Sequence, residues 1–439
     1  MTNADRMAAE TLQALYDATV VAAHPSSCLP PHLPPVPRDG RILVVGAGKA
    51  AAAMALAAER HYARQGVLDR VSGFVTAPHG YRETLDQAPA AIEVVAARHP
   101  TPDTGSVAAA ERALAQVATA TAGDLVLVLL SGGASALWAA PAAGIDIAAK
   151  TALTKGLLKC GADIHEMNTV RRHISRIKGG RLRKATQAPM RTLAISDVPG
   201  DDPNTIGSGP TVPDASTLAD ARAILARRRG QMEALGLDVP PAVDAALADE
   251  ANETPKPDDA AFASAAYTII ATPARALQRA CDVAAERGYR VVYLGDQVVG
   301  EARDVAAVHA ALARQAQGQG RKTAIISGGE LSVTVRNAKG RGGRCQEYAL
   351  ALAVELEGTR GITALAADTD GIDGGEGRVT DPAGAYVTPA TLEAARAGKG
   401  RRFLEANDAT AFFEAAGGLV IRGPTHTNVN DFRVLLIDG

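Results

Sequence analysis

Short, mostly apolar runs that break off at glycine or small polar residues constrain this chain more than any other feature. They are Ile42–Val45, Gly73–Thr76, Ile92–Ala96, Leu125–Leu130, Leu193–Ser196, Thr268–Ala271, Val291–Leu294, Thr323–Ser327, Thr363–Ala367 and Leu435–Ile437, with Ala-rich helical stretches between them. Most are continuous rather than alternating, as strands covered by helices on both faces must be. The pattern predicts an α/β fold with a mostly parallel sheet. One further run, Leu331–Val335, alternates and follows its predecessor closely, so it reads as an antiparallel excursion. A chain of 439 residues exceeds one ordinary core, which predicts two or three domains. The polar stretch Ala248–Asp259 has almost nothing to bury and reads as a linker. It separates a domain at 1–250 from one at 260–439, with the terminal strand free to pack back on the first.

Aromatic residues make up only 3% of the chain, so Ala, Val, Leu and Ile must build the core. The net charge of -2 argues against a dedicated nucleic-acid binder. Cys28, Cys160, Cys281 and Cys345 lie far apart with no CxxC pair, which speaks against zinc or thioredoxin-like chemistry and for a reducing compartment. Near the start, Ala8, Leu12 and Leu15 recur at helical spacing among Asp5, Glu10 and Asp17, predicting an amphipathic helix rather than a signal peptide. The longest apolar stretch, Leu125–Ile147, is interrupted by Gly132, Gly133, Pro141, Gly144 and Asp146, so no membrane span is expected. The expected compartment is the cytoplasm.

Function points to the turns after the strands, because open α/β sheets bind ligands at their carboxyl ends. The first turn, Gly46–Ala47–Gly48–Lys49–Ala50–Ala51, matches the spacing of a dinucleotide fingerprint. That fingerprint needs an acid at the end of the next strand, where this chain has Thr76–Ala77–Pro78–His79. Lys49 at a helix N-terminus suits a phosphate or carboxylate; the alternative is a close strand–helix contact with Lys49 in solvent. Two Ser-Gly-Gly turns follow other strands: Ser131, Gly132 and Gly133, then Ser327, Gly328 and Gly329 leading to Glu330. Each offers donors to phosphate or is merely a tight turn. The long loop after Ile195 begins with Asp197, a carboxylate of the kind Mg²⁺ takes, although its Asp-Pro and Pro-Gly pairs also mark plain turns.

The basic run Asn168–Arg181 reads as a helix with Arg171, Ser175 and Lys178 on one face and Arg172, Arg176 and Gly180 on another. It is a solvated face, a clamp for an anion or, without aromatic residues interleaved for base stacking, least of all a nucleic-acid surface. Gly342–Gly343–Arg344 enters a helix and can aim a guanidinium at a transferring phosphate. Asp368, Asp370 and Asp373 cluster after a strand, but the twelfth position of the loop, where a calcium loop carries glutamate, is Val379. His426 precedes the last strand and is open to a structural or a catalytic reading.

Together these stretches resemble the class II glycerate 2-kinases, whose C-terminal half is the MOFRL domain. The matching segments are VVGAGKAAAAM (44–54), HPTPD (99–103), LLSGGASAL (129–137), NTVRRHISRIKGGRL (168–182), ISDVPGDDPNTIGSGPTVPD (195–214), SGGELSVTV (327–335), GRGGRCQEYALALA (340–353), DTDGIDG (368–374) and THTNVND (425–431). The resemblance implies a Rossmann-like, mostly parallel α/β/α N-terminal domain and a smaller mixed-sheet α/β MOFRL domain. It implies phosphorylation of the 2-hydroxyl of D-glycerate by ATP, with Mg²⁺, in a cleft between the domains. Lys49 and Arg344 match the family's catalytic lysine and arginine, with Cys345 where the typical GGRNQE carries asparagine. On this expectation Gly46, Gly48 and both Ser-Gly-Gly turns hold ATP, Glu330 included. Arg172, Arg176 and Lys178 hold the substrate, and Asp197 and Asp370 the metal. Rival expectations are a hydroxypyruvate reductase using NAD(P)H and a non-catalytic sensor of nucleotides or sugar acids. Nucleic acid and membranes are not expected partners; a homodimer is left open.

Overall fold

The computed structural model describes residues 3–375, 377–394 and 400–438. The chain forms two compact units, Cys28–Ile270 and a second made of Met1–Ser27 with Ala271–Gly439. This is not the division at 250–260 that the polar stretch suggests. Glu253 in that stretch accepts hydrogen bonds from Leu218 N–H at 3.0 Å and, through Oε1, from Lys256 Nζ at 2.6 Å, and the same Oε1 lies 3.0 Å from His173 Nε2. The stretch is pinned to its own unit, and one more strand follows before the division.

The Cys28–Ile270 unit is built on strands β1 (Ile42–Ala47), β2 (Val71–Pro78), β3 (Ile92–Ala97), β4 (Leu125–Leu130), β5 (Met190–Ile195) and β6 (Ala265–Ala271). Their order is β3-β2-β1-β4-β5-β6, and β1 to β5 pair in parallel. Every residue of β1 is buried, as the continuous apolar run demands of a central strand. The order reverses between β1 and β4, the switch point where such sheets leave a crevice. Helices Ile147–Lys159, Ile164–His173 and Leu218–Ala234 pack on one another through Leu153, Leu157, Met167, Val170 and Leu225.

In the other unit the strands are β7 (Arg290–Tyr293), β8 (Thr323–Ser327), β9 (Ile362–Asp368), β10 (Gly384–Val387), β11 (Leu419–Val420) and β12 (Asp431–Ile437). The order is β11-β10-β9-β12-β8-β7. Only β7 and β8 are parallel; β12 runs antiparallel to both β8 and β9. The terminal strand is thus central in its own sheet. Leu331–Val335 is not a strand: Ser332 makes only an isolated bridge to Glu301. The N-terminal helix Asn3–Ala23 belongs here too, because Leu12, Leu15, Tyr16 and Val20 pack with Leu277, Ala280 and Phe432. Tyr16 Oη donates to the Asp368 carbonyl at 2.8 Å. Burying such side chains contributes about 1.5–3 kcal/mol each over leaving them in water, which explains why the amphipathic start of the chain crosses to this sheet. Among the described residues no helix is long and apolar enough to cross a membrane.

Candidate active site

The two glycine turns at the β1–β4 switch point interlock. Ala50 N–H donates to Ser131 Oγ at 2.9 Å and Lys49 N–H to the Gly132 carbonyl at 2.8 Å. Gly48 has φ +140°, and a Cβ there would stand 2.0 Å from Ser131 Oγ, so only glycine fits. These contacts consume amide donors that a dinucleotide pyrophosphate would need, and β2 ends without a carboxylate. The Gly46–Ala51 segment is a strand–helix junction built around Ser131, and its product is a fixed position for Lys49.

The Lys49 side chain runs along Gly133 and His99: a Cβ on Gly133 would stand 3.6 Å from Lys49 Cγ and 2.9 Å from the His99 ring. Gly133, at φ +85°, is the second position where glycine is required. Burial, with the adjacent Lys49 charge, lowers the His99 pKa to about 3, so the imidazole is neutral at physiological pH. His99 and Gly133 form part of the wall of a cavity of 390 Å³, which Ser135, Lys150, Thr151, Thr154, Arg171 and Lys178 also line. It opens beyond the carboxyl ends of β3 and β4, where the fold predicts a ligand.

Besides the exposed Lys155, three cations line that wall with no ion-pair partner among the described residues. Lys178 is 1% exposed, and its ammonium donates to the Ser135 carbonyl at 2.9 Å and to Ser135 Oγ at 2.8 Å, both neutral oxygens. Burial, then the charges of Lys150 and Arg171, pull its pKa well below the ordinary lysine value. Lys150 is 4% exposed and its Nζ has no hydrogen-bond partner among the described residues. Its pKa falls to about 8 through burial and the Arg171 charge. For Arg171 burial alone lowers the value. Neither Lys150 nor Lys178 nor Arg171 appears in an ion pair among the described residues.

The helix expected over 168–181 ends at His173, because Ile174 leaves helical geometry and the chain turns toward Lys178. The two arginine faces therefore do not exist as drawn from the sequence. Arg172 Nε lies 3.2 Å from the buried Asp214 carboxylate, and Arg176 pairs with Glu111 at the surface. Neither lines this cavity. Of the three expected substrate residues only Lys178 reaches it, and Arg171 and Lys150 join it instead. One signal for Lys150 was present: it shares a helix face with Leu153 and Leu157, both buried, so a lysine falls on an apolar stripe.

In the other unit, Arg344 is the first residue of helix Arg344–Leu356 and is held by carboxylates on three sides. Its Nε donates to Asp431 Oδ1 and its Nη2 to Asp368 Oδ2, both at 2.8 Å, while Nη1 lies 3.4 Å from Glu330 Oε1. Burial works against its charge, but Asp431 and Asp368 outweigh it and push the pKa above the ordinary arginine value. Glu330 is thus a partner of Arg344, and as a carboxylate it repels phosphate rather than binding it. The second Ser-Gly-Gly turn is tied to Arg433, which donates through Nε to Ser327 Oγ at 3.3 Å and through Nη2 to the Gly328 carbonyl. A Cβ on Gly329 would strike the Val298 backbone, so this turn also packs closely.

Asp373 caps the same helix, accepting from Cys345 N–H at 3.0 Å and Gln346 N–H at 2.8 Å. Burial raises its pKa to about 7 despite Arg344 and those donors. Burial likewise pushes the Cys345 thiol up, so this substitution adds no charge beside Arg344. Asp370 is 1% exposed and its Oδ1 accepts from Ile372 N–H at 2.8 Å, which binds it into its own loop. Asp197 is half-buried after β5. In the loop it begins, Asp201 Oδ1 and Asn204 Oδ1 are buried without a donor among the described residues. Carboxylate and amide oxygens are the donors that a hard cation such as Mg²⁺ takes. Among the described residues no three His, Cys, Asp or Glu side chains converge as a metal site.

Comparison with known proteins agrees with this geometry. Residues 11–248 match a domain of unknown function, DUF4147, and residues 323–431 match the MOFRL family. A putative hydroxypyruvate reductase of Agrobacterium vitis is 44% identical, covering 100% of this chain and 96% of that protein. The D-glycerate 2-kinase of Thermotoga maritima is 35% identical, covering 95% of this chain and 96% of its own. A crystal structure of glycerate kinase from Thermotoga maritima superposes with TM-score 0.81 at 32% identity, over 98% of this chain and 99% of the other. With two family models and full-length glycerate kinase relatives behind it, the chain belongs to the MOFRL family that includes these glycerate kinases.

Proposed function

We propose that this enzyme transfers the γ-phosphoryl group of ATP to the 2-hydroxyl of D-glycerate, giving 2-phosphoglycerate, in the cytoplasm. The observation that carries the reading is the uncompensated cationic cavity beside Lys49 at the switch point of the parallel sheet. A small hydroxy acid brings the anion such a cavity lacks, and full-length relatives are named for glycerate phosphorylation.

Phosphoryl transfer needs positioning and neutralisation of charge more than covalent chemistry. In this reading Lys49 and Arg344 act on the same migrating phosphoryl group during turnover. Each is prepared differently: Lys49 by the interlocked turns, Arg344 by its carboxylates. Lys178 belongs to the acceptor. The amides of Ser131–Gly133 and Ser327–Gly329 that remain unused serve the ATP phosphates. Mg²⁺, held by Asp197 and its loop, supplies further charge neutralisation when bound. Burial of Arg172, His173 and Lys178 interrupts the basic run, which supports a small-molecule site over an exposed stripe for nucleic acid.

Phosphorus NMR of the full-length protein with ATP, Mg²⁺ and D-glycerate tests the reading. A single new phosphomonoester at the 2-position is expected. No glycerate-dependent signal, or a 3-phosphate, would refute it. The reductase reading, which the Agrobacterium vitis name raises, predicts NADH oxidation by hydroxypyruvate. It is disfavoured by the filled Gly46–Ala51 turn and by the missing acid after β2.

A further inference from the structure

We propose that Lys150, together with Lys178 and Arg171, forms the socket for the carboxylate of the hydroxy acid, so that Lys150 decides that the acceptor must be an acid. The inference rests on the proposed function for the identity of the acceptor, but the socket itself stands on geometry.

Lys150 Nζ is buried, lines the cavity and has no hydrogen-bond partner among the described residues. An ammonium in that state loses its water without recompense, unless a ligand provides the missing acceptor. Lys178 and Arg171 line the same wall and repel it, and among the described residues no carboxylate is paired with any of the three. A structural lysine is normally placed beside an acid, as Lys256 is beside Glu253 at 2.6 Å. Here Lys150, Lys178 and Arg171, with the exposed Lys155 beside them, line open volume, which is the arrangement of a site awaiting an anion.

The carboxylate rather than the phosphoryl group is assigned to this socket by the position of Lys49. That residue sits at the Gly133–His99 edge of the cavity and attends the transferring group in the proposed reaction. In a 2-hydroxy acid the carboxylate is bonded to the carbon that bears the reacting oxygen. Its anchor must therefore lie within one small-molecule length of the transfer point, and Lys150 and Lys178 meet that requirement by lining the same cavity. Ser135, Thr151 and Thr154 add neutral hydroxyls to the wall, suited to the remaining alcohol of the acceptor.

The test is Lys150→Met in the full-length enzyme, with Lys150→Arg as the charge-retaining variant. Lys159→Met, on the same helix but exposed, controls for net charge. Lys150→Met should raise KM for D-glycerate at least about ten-fold while KM for ATP changes less than about two-fold. Lys150→Arg should recover part of the loss, and Lys159→Met should behave as wild type. In parallel, the rise in melting temperature caused by D-glycerate alone, and by inorganic phosphate alone, is measured for each protein. Loss of the glycerate response in Lys150→Met supports the proposal. An unchanged glycerate KM with an unchanged glycerate response overturns it. Loss of the phosphate response with the glycerate response intact also overturns it, by reassigning the socket to phosphoryl. If wild type fails to phosphorylate glycerate, the proposed function falls. The melting response to D-glycerate still decides the socket, and its absence in wild type counts against it.

Discussion

The two cationic centres of this protein are built in opposite ways. Arg344 is surrounded by Asp431, Asp368 and Glu330, and two of those carboxylates are almost completely buried. Lys150, Lys178 and Arg171 gather around open volume with no acid among them. A compensated cation is fixed in place and contributes to folding, because its removal strands buried carboxylates. An uncompensated cluster opposes folding until an anion arrives. The first arrangement preorganises a charge, and the second reserves binding energy for a ligand.

Removing the compensated cation is the sharpest way to break this contrast. Arg344→Ala should lower the unfolding free energy by roughly 3–5 kcal/mol, the range for stripping one partner from buried charges. Denaturant unfolding checks this, and a stable variant would deny Arg344 its structural half. Lys49→Ala should leave the unfolding curve nearly unmoved while turnover falls by about 10²–10³-fold, as when one preorganised donor is lost from a transition state. Kinetics and unfolding on the same preparation separate the two. Combining Lys49→Ala with Arg344→Ala should cost less turnover than the sum of the single effects if both act on one phosphoryl group.

Removal of the uncompensated cation should go the other way. Lys150→Met should make the ligand-free protein more stable, by about 1 kcal/mol, since a buried unpaired charge is replaced by an apolar side chain of similar length. A further effect is expected on pH. Lys150 has a folded pKa of about 8, below that of an unfolded lysine, so the folded state binds fewer protons above pH 8. Stability of the ligand-free protein should therefore rise between pH 8 and the ordinary lysine range. Affinity for the acid should fall over the same interval as the ammonium is lost. Melting curves with and without D-glycerate from pH 7 to 10 would expose a contrary slope.

Strands could be read from the chain because their cause is local. A buried parallel strand needs an unbroken apolar run, and Leu125–Leu130 and Thr323–Ser327 coincide with β4 and β8. The glycine turns were visible for a similar reason. Their role was less so, since Ser131 and Ser327 turned out to serve Ala50 and Arg433, residues 81 and 106 positions away. The Asn168–Arg181 run misled, because charge spacing alone cannot reveal that Asp214 waits for Arg172.

By itself, then, the sequence determined the alternation of strand and helix, the tight turns at Gly48 and Gly133, and the presence of Lys49 and Arg344 beside such turns. These depend on backbone geometry and on neighbours within a few residues. Tertiary structure alone decided that the first helix belongs with the second sheet and that β12 lies at that sheet's centre. It also decided that Lys150 meets Lys178 and Arg171 without an acid. Charge compensation depends on which distant side chains fold into the same few ångströms, and that distance is written nowhere in the order of residues.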